Sequence, residues 1–213
     1  MEKAATILLA VGVMLQFTAP LAVAQHGTLQ ICVRNDAHVP GDTLDEARRV
    51  VSDIYSQAGL TLSWCLDDCT VTIALRPRAS DDTARRANDA MGYTPGGGKE
   101  RGRLAFVLIN RVNETADGYS TAKSIVLGAA IAHELGHLLI SKKHTKTGIM
   151  KAYLNQSDFR KARQGELRLT AEQGRHIRNS VAPVTPSEDI AANLRSRGCR
   201  PAPAKICGDA GSE

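Results

Sequence analysis

The chain has 213 residues, enough for one domain and too few for two of ordinary size. Apolar residues make up 43% of it and charged residues 23%, the proportions of a globular protein, while only 4% are aromatic, so the core must rest on Ala, Val, Ile and Leu. The net charge of +5 is modest and Lys and Arg form no block of five or more, which argues against a nucleic-acid partner.

The N-terminus reads as a targeting segment. Lys3 precedes an apolar stretch, Ala4 to Phe17, and Ala22-Val23-Ala24 is an A-x-A site. Residues 1–24 are therefore expected to be a secretory signal peptide cleaved after Ala24. The stretch is short for a membrane anchor and lacks a stop-transfer flank, so the mature chain should have no membrane span. The expected location is secreted or periplasmic.

Thr28 to Asn35 alternates apolar and polar residues and predicts a strand. Thr43-x-x-Glu46 reads as a capping box, and Leu44, Ala47, Val50, Val51, Ile54 and Ala58 mark the core face of a helix that Gly59 stops. Leu60 to Cys65 and Thr70 to Leu75 predict two more strands. Ala79 to Ala90 is polar and weakly helical, and Gly92 to Gly98 reads as a flexible loop. Arg103 to Asn110 is a strand, Arg111 to Ser120 a polar loop, and Ile125 to Ile140 an apolar, buried helix. Lys142 to Gly148 is a polar turn, and Leu154 to Arg168 is charged and ambiguous. Thr170-x-x-Gln173 caps a last helix ending before Pro183. Residues 183–213 are rich in Pro, Ala, Ser and Gly and read as a tail. The order predicts an α+β, α/β-like single domain with one small sheet over 25–182.

In an exported chain the five cysteines are disulfide candidates. Cys65 and Cys69 flank a polar turn, and Cys199 and Cys207 flank a Pro-rich loop. Each pair can close locally, which leaves Cys32 over, although spacing alone does not fix the connectivity.

The chemistry lies in His133-Glu134-Leu135-Gly136-His137, an H-E-x-x-H pattern on the apolar helix. Positions i and i+4 share one helix face, so both imidazoles can reach one metal ion. Glu134 sits one residue round, where a carboxylate can meet a water at the metal without becoming a ligand. A catalytic zinc needs a third protein ligand. His144 is the nearest candidate, and Glu166 and Glu172 are the carboxylate alternatives. His26, His38 and His176 are isolated and read as surface or local structural residues.

His144 followed by Gly148-Ile149-Met150 resembles the third ligand and Met-turn of the metzincin zinc peptidases. The stretch from Ala132 to Met150 looks like a group of exported bacterial metzincin-like proteins, the matrixin and archaemetzincin-like group. The segment Leu169-Thr170-Ala171-Glu172-Gln173 is similar to their F-T-x-E-Q segment. The chain departs from the metzincin pattern in two places. Ile140 stands where that pattern has Gly, and His137 and His144 are seven positions apart where it has six.

The resemblance implies a zincin-like domain with a small mixed sheet, an active-site helix and a C-terminal helix. It implies one Zn²⁺ held by His133, His137 and His144 above Met150, with Glu134 as the general base of an endopeptidase acting on a peptide or protein. It also makes the strand Arg103 to Asn110 the sheet edge that pairs with an extended substrate. Tyr153 reads as a packing tyrosine, with a metal-side role as the alternative that some metzincins suggest. There is little room for an inhibitory pro-segment before the first strand, so restraint would fall to geometry or a separate protein inhibitor. The rival reading is a non-catalytic zinc-binding module that holds a peptide or protein.

Overall fold

The computed structural model describes residues 27–67, 69–79, 90–95, 103–140 and 143–181. The expected signal peptide, the tail with Cys199 and Cys207, and most of the weakly helical stretch after Ala79 lie outside the described residues.

Strand β1 (Gly27–Asn35) turns Leu29 and Ile31 into the core, following its alternation. Helix α1 (Gly41–Ser56) buries Leu44, Ala47, Val50, Val51, Ile54 and Tyr55, the apolar stripe of its sequence plus one tyrosine. Its start differs from expectation, because the Thr43–Glu46 capping box does not form. The helix begins three residues earlier, behind Pro40. Asp42 accepts from the Thr43 amide at 2.6 Å, and Arg49 takes the Glu46 carboxylate.

Four further strands follow: β2 (Leu60–Cys65), β3 (Val71–Arg76), β4 (Gly92–Tyr93) and β5 (Leu104–Leu108). Their order in the sheet is β2-β1-β3-β5-β4. All neighbours run parallel except β4, which is antiparallel to β5. The fold is thus an α/β-like single domain on a mixed five-stranded sheet. Strand β5 lies inside this sheet, between β3 and β4. It is therefore not the edge, contrary to the expectation for Arg103 to Asn110, and the short β4 takes that place.

Strands β2 and β3 run in the same direction on opposite sides of β1. Pairing with β2 ends at Cys32↔Cys65, and pairing with β3 begins at Ile31↔Val71. The chain between them must cross β1 at this level, and the Thr70 amide donates to the Gln30 carbonyl there at 3.0 Å. The crossing brings Cys69 to Cys32, with Cα atoms 5.6 Å apart, and the two form a disulfide. The expected local Cys65–Cys69 pair is thereby corrected: topology, not sequence distance, selects the partner. Cys65 stays outside this bridge, its sulfur 3.4 Å from Ser63 Oγ. The bridge closes a loop with a sequence separation of 37. Replacing Cys32 and Cys69 together with Ser is expected to lower unfolding stability by about 2–4 kcal/mol, read from a urea melt.

Helix α2 (Ile109–Gly118) occupies the segment read as a polar loop. Only Val112 and Ala116, one turn apart, are buried there, too few to show against its polar composition. Helix α3 (Lys123–Leu139) carries the H-E-x-x-H residues and is buried on nearly all sides, as its continuous apolar run requires. Against it packs α1, whose buried Tyr55 hydroxyl donates to the Ala132 carbonyl at 2.9 Å, next to His133. Burial pushes the Tyr55 phenol far up, so it remains a donor at physiological pH.

The ambiguous stretch contains α4 (Gln156–Arg163), opened by a capping box in which Asn155 and Asp158 satisfy each other's backbone amides. Helix α5 (Ala171–Val181) is capped as predicted. The Thr170 amide donates to Gln173 Oε1 at 2.8 Å, and the Gln173 amide to Thr170 Oγ1 at 3.2 Å.

Candidate metal centre

Two of the expected ligands are placed by α3 alone, since residues four apart stand one above the other on its surface. His133 and His137 have their Nε2 atoms 3.0 Å apart. The third comes back from beyond the helix end. At the C-terminus of α3 the Ile140 amide donates to the Gly136 carbonyl, and Ile140 keeps a negative φ of -112°. The helix therefore stops without a left-handed residue at this position, where the metzincin pattern has Gly. Ser141 and Lys142, the residues that would absorb the extra position, lie outside the described residues.

His144 nevertheless reaches the other two. Ring centroids are 4.7 Å apart for His133 and His137, 5.2 Å for His133 and His144, and 5.0 Å for His137 and His144. One nitrogen from each lies within 4.8 Å of the others. The alternatives Glu166 and Glu172 are both exposed and stand outside this cluster. His38 and His176 are also exposed and apart from it, and His26 lies outside the described residues.

The turn after His144 orders the cluster from below. Gly148 has φ +76°, a conformation that L side chains rarely adopt, and a Cβ there would lie 2.5 Å from the Arg168 carbonyl oxygen. Ile149 donates its amide to that same carbonyl at 3.0 Å, which ties the turn to the segment leading into α5. Its own carbonyl accepts from His133 Nδ1 at 2.9 Å. That bond places the His133 proton on Nδ1 and leaves Nε2 as a bare lone pair facing His137. Met150 is 1% exposed and lies against Gly136. A Cβ at Gly136 would collide with Met150 Sδ and come within 3.0 Å of Cε, so the glycine inside the motif leaves room for the methionine beneath it. The turn closes through the Thr145 amide, which donates to the Met150 carbonyl at 2.8 Å.

These contacts make the site fit for a metal ion. Burial lowers His133 to about 4, so its imidazole is neutral at physiological pH, with Nε2 unprotonated. Two imidazole nitrogens 3.0 Å apart, with a third close by, are the donor set of a borderline-soft cation. The three histidines could hold one such ion.

Glu134 stands beside them, 5% exposed. Burial raises its carboxyl to about 7, against the opposing pull of one hydrogen bond. That bond comes from Thr94 Oγ1, 3.0 Å from Glu134 Oε2. Gly92 of β4 backs the same side chain: a Cβ there would lie 2.7 Å from Glu134 Cγ and 2.9 Å from Cδ. Neither residue stands out in the sequence, where both sit in a Gly-rich stretch that reads as loop. The tight approach of β4 to α3 is a tertiary contact, invisible to local pattern.

A cleft of about 600 Å³ opens over the histidines and Glu134. Tyr93, Tyr119, Tyr153, Met91 and Leu154 line it. Tyr153 is 82% exposed at its wall, so it is not the half-buried packing residue expected. Lys151 also faces the cleft, with its ammonium on buried Asp158 at 2.6 Å. No known protein-family model matches the chain, and no curated protein matches it either.

Proposed function

We propose that this protein is a zinc-dependent endopeptidase, exported and active outside the cytoplasm. The observation that carries the reading is Glu134: a carboxylate 5% exposed, next to a ligand histidine, with no cationic side chain paired to it among the described residues. A buried acid without a counter-charge is costly to maintain. Binding a metal or a peptide does not require it, whereas moving a proton does.

In this reading His133, His137 and His144 would hold Zn²⁺ through one imidazole nitrogen each. When bound, the ion supplies Lewis acidity, bringing the pKa of a water towards about 7 and polarising a carbonyl. Glu134 accepts the water's proton on its free carboxylate oxygen and returns it to the leaving amine nitrogen. An extended peptide would pair with the outer edge of β4, which has no further strand beside it among the described residues, where β5 is enclosed. The resemblance to metzincins in the motif, His144 and the Gly148-Ile149-Met150 turn supports the same class. The Cys32–Cys69 bridge suits an oxidising compartment, and no helix among the described residues is long and apolar enough to cross a membrane.

The rival, a zinc-binding module without catalysis, drew its support from Ile140 and the seven-position spacing. Neither departure keeps His144 from the cluster. Incubating zinc-loaded protein with a mixed peptide library distinguishes the two. Cleavage at discrete bonds, abolished by chelation and restored by zinc, is expected; retention of intact peptides without cleavage would establish the module instead.

A further inference from the structure

We infer that Thr94 is a positioning residue for Glu134: its hydroxyl fixes one carboxylate oxygen so that the other alone exchanges the proton. The inference rests on the peptidase reading above and goes beyond it, to a residue 40 positions away in sequence, immediately after β4.

A glutamate on a helix surface has three rotatable bonds, and a general base is useful only when one oxygen is held within a few tenths of an ångström of its target. Two contacts remove that freedom, and both come from the same short segment. Gly92 closes on the Glu134 side chain so tightly that no Cβ fits between them. Two residues on, Thr94 Oγ1 donates to Oε2 at 3.0 Å. With Oε2 engaged, Oε1 is the oxygen left to take up a proton. A hydroxyl suits this place better than a cation would, because an ammonium would hold the carboxylate ionised and blunt it as a base. Threonine is also stiff at χ1, so its hydroxyl is aimed at little entropic cost.

The segment carrying Thr94 is itself anchored. Tyr93 stacks on Phe106 of β5, with ring centroids 4.8 Å apart and planes 17° from parallel. The Leu108 amide donates to the Met91 carbonyl at 2.8 Å. The edge strand thus transmits the rigidity of the sheet to the carboxylate, and α3 holds only the carboxylate's base.

The test compares Thr94→Val, which keeps shape and loses the hydroxyl, with Thr94→Ser, which keeps the hydroxyl. Each is made in the full-length zinc-loaded chain and again in a Glu134→Gln background. Two readouts are followed: peptide hydrolysis, and the affinity for acetohydroxamate, a small zinc chelator whose hydroxyl proton passes to a neighbouring carboxylate. Thr94→Val is expected to lower kcat by about 10–100-fold, the usual cost of losing an outer-shell partner, with KM unchanged. It should weaken acetohydroxamate comparably while zinc stoichiometry and melting temperature stay as in the parent. Thr94→Ser should recover most of both losses, and Thr94→Val should add nothing once Glu134 is Gln. Parental kcat and acetohydroxamate affinity in Thr94→Val would overturn the inference while leaving the peptidase reading intact. So would equal losses in Val and Ser variants with a lowered melting temperature. If Glu134→Gln alone moved neither readout, the reading of the site would fail and the role of Thr94 with it.

Discussion

Glu134→Gln is expected to cut peptide hydrolysis by about 10²–10⁴-fold, the range over which a positioned acid or base contributes. The substitution is nearly isosteric, and an amide oxygen can still accept from Thr94 Oγ1. Gly92 would still close on the side chain, so packing at the 5% exposed position is preserved. What is lost is the ability to take a proton from water and return it to the leaving nitrogen. Because the Glu134 carboxylate is not among the grouped ligand atoms, which come from the three histidines, zinc should remain bound one per chain. The expected signature is therefore a large fall in kcat at unchanged metal content, read by zinc analysis beside a progress curve on the best library peptide. Near-full activity in the Gln variant would remove the mechanism, and zinc loss would move Glu134 from base to ligand.

Much of this site was legible because its parts are local. A pair of histidines four apart on an apolar run fixes a shared helix face by geometry alone. The Thr170–Gln173 box is another local pattern, and both of its hydrogen bonds form. The glycine at 148 and the methionine at 150 announced a turn, and the turn is where it was expected. Elements with weak local signals were lost. Helix α2 buries two side chains and otherwise looks like a loop, and β4 is two residues long. The Asn155–Asp158 box went unread in a charged stretch, although its N-x-x-D spacing is a cap signature.

Contacts set by topology could not be read at all. Cys69 meets Cys32 only because the chain crosses β1 between two parallel strands, and no spacing rule encodes that crossing. Likewise Thr94 meets Glu134 only because β4 lies at the sheet edge against α3. The edge assignment failed for the same reason. An apolar strand such as Arg103 to Asn110 looks the same at the edge or inside a sheet until its neighbours are placed. The two helical histidines that could help hold a metal are therefore legible as a local motif, and the residues proposed to aim Glu134 come from the assembled fold.

His144→Ala is expected to weaken zinc binding by more than the roughly 10–100-fold cost of losing an outer-shell partner, because a ligand itself is removed. Two histidines on one helix would remain, with water making up the coordination, and hydrolysis should fall with zinc content at limiting metal. The substitution is a clean probe, since His144 is exposed and supports none of the core. The turn that follows it is held independently, by Ile149 to Arg168 and by Thr145 to Met150. Gln173 adds a further tie, donating to Thr145 Oγ1 at 3.5 Å. Loss of zinc in this variant therefore reports on ligation, not on collapse of the turn. Glu166→Ala and Glu172→Ala serve as the matched comparison, because each is a carboxylate that a two-histidine, one-glutamate site would need. Both are exposed and neither joins the cluster, so both variants should hold zinc as the parent does in a chelator competition. Tight zinc in His144→Ala together with weak zinc in Glu172→Ala would replace the three-histidine centre with the carboxylate one. The resemblance to metzincins would then reduce to the H-E-x-x-H helix alone.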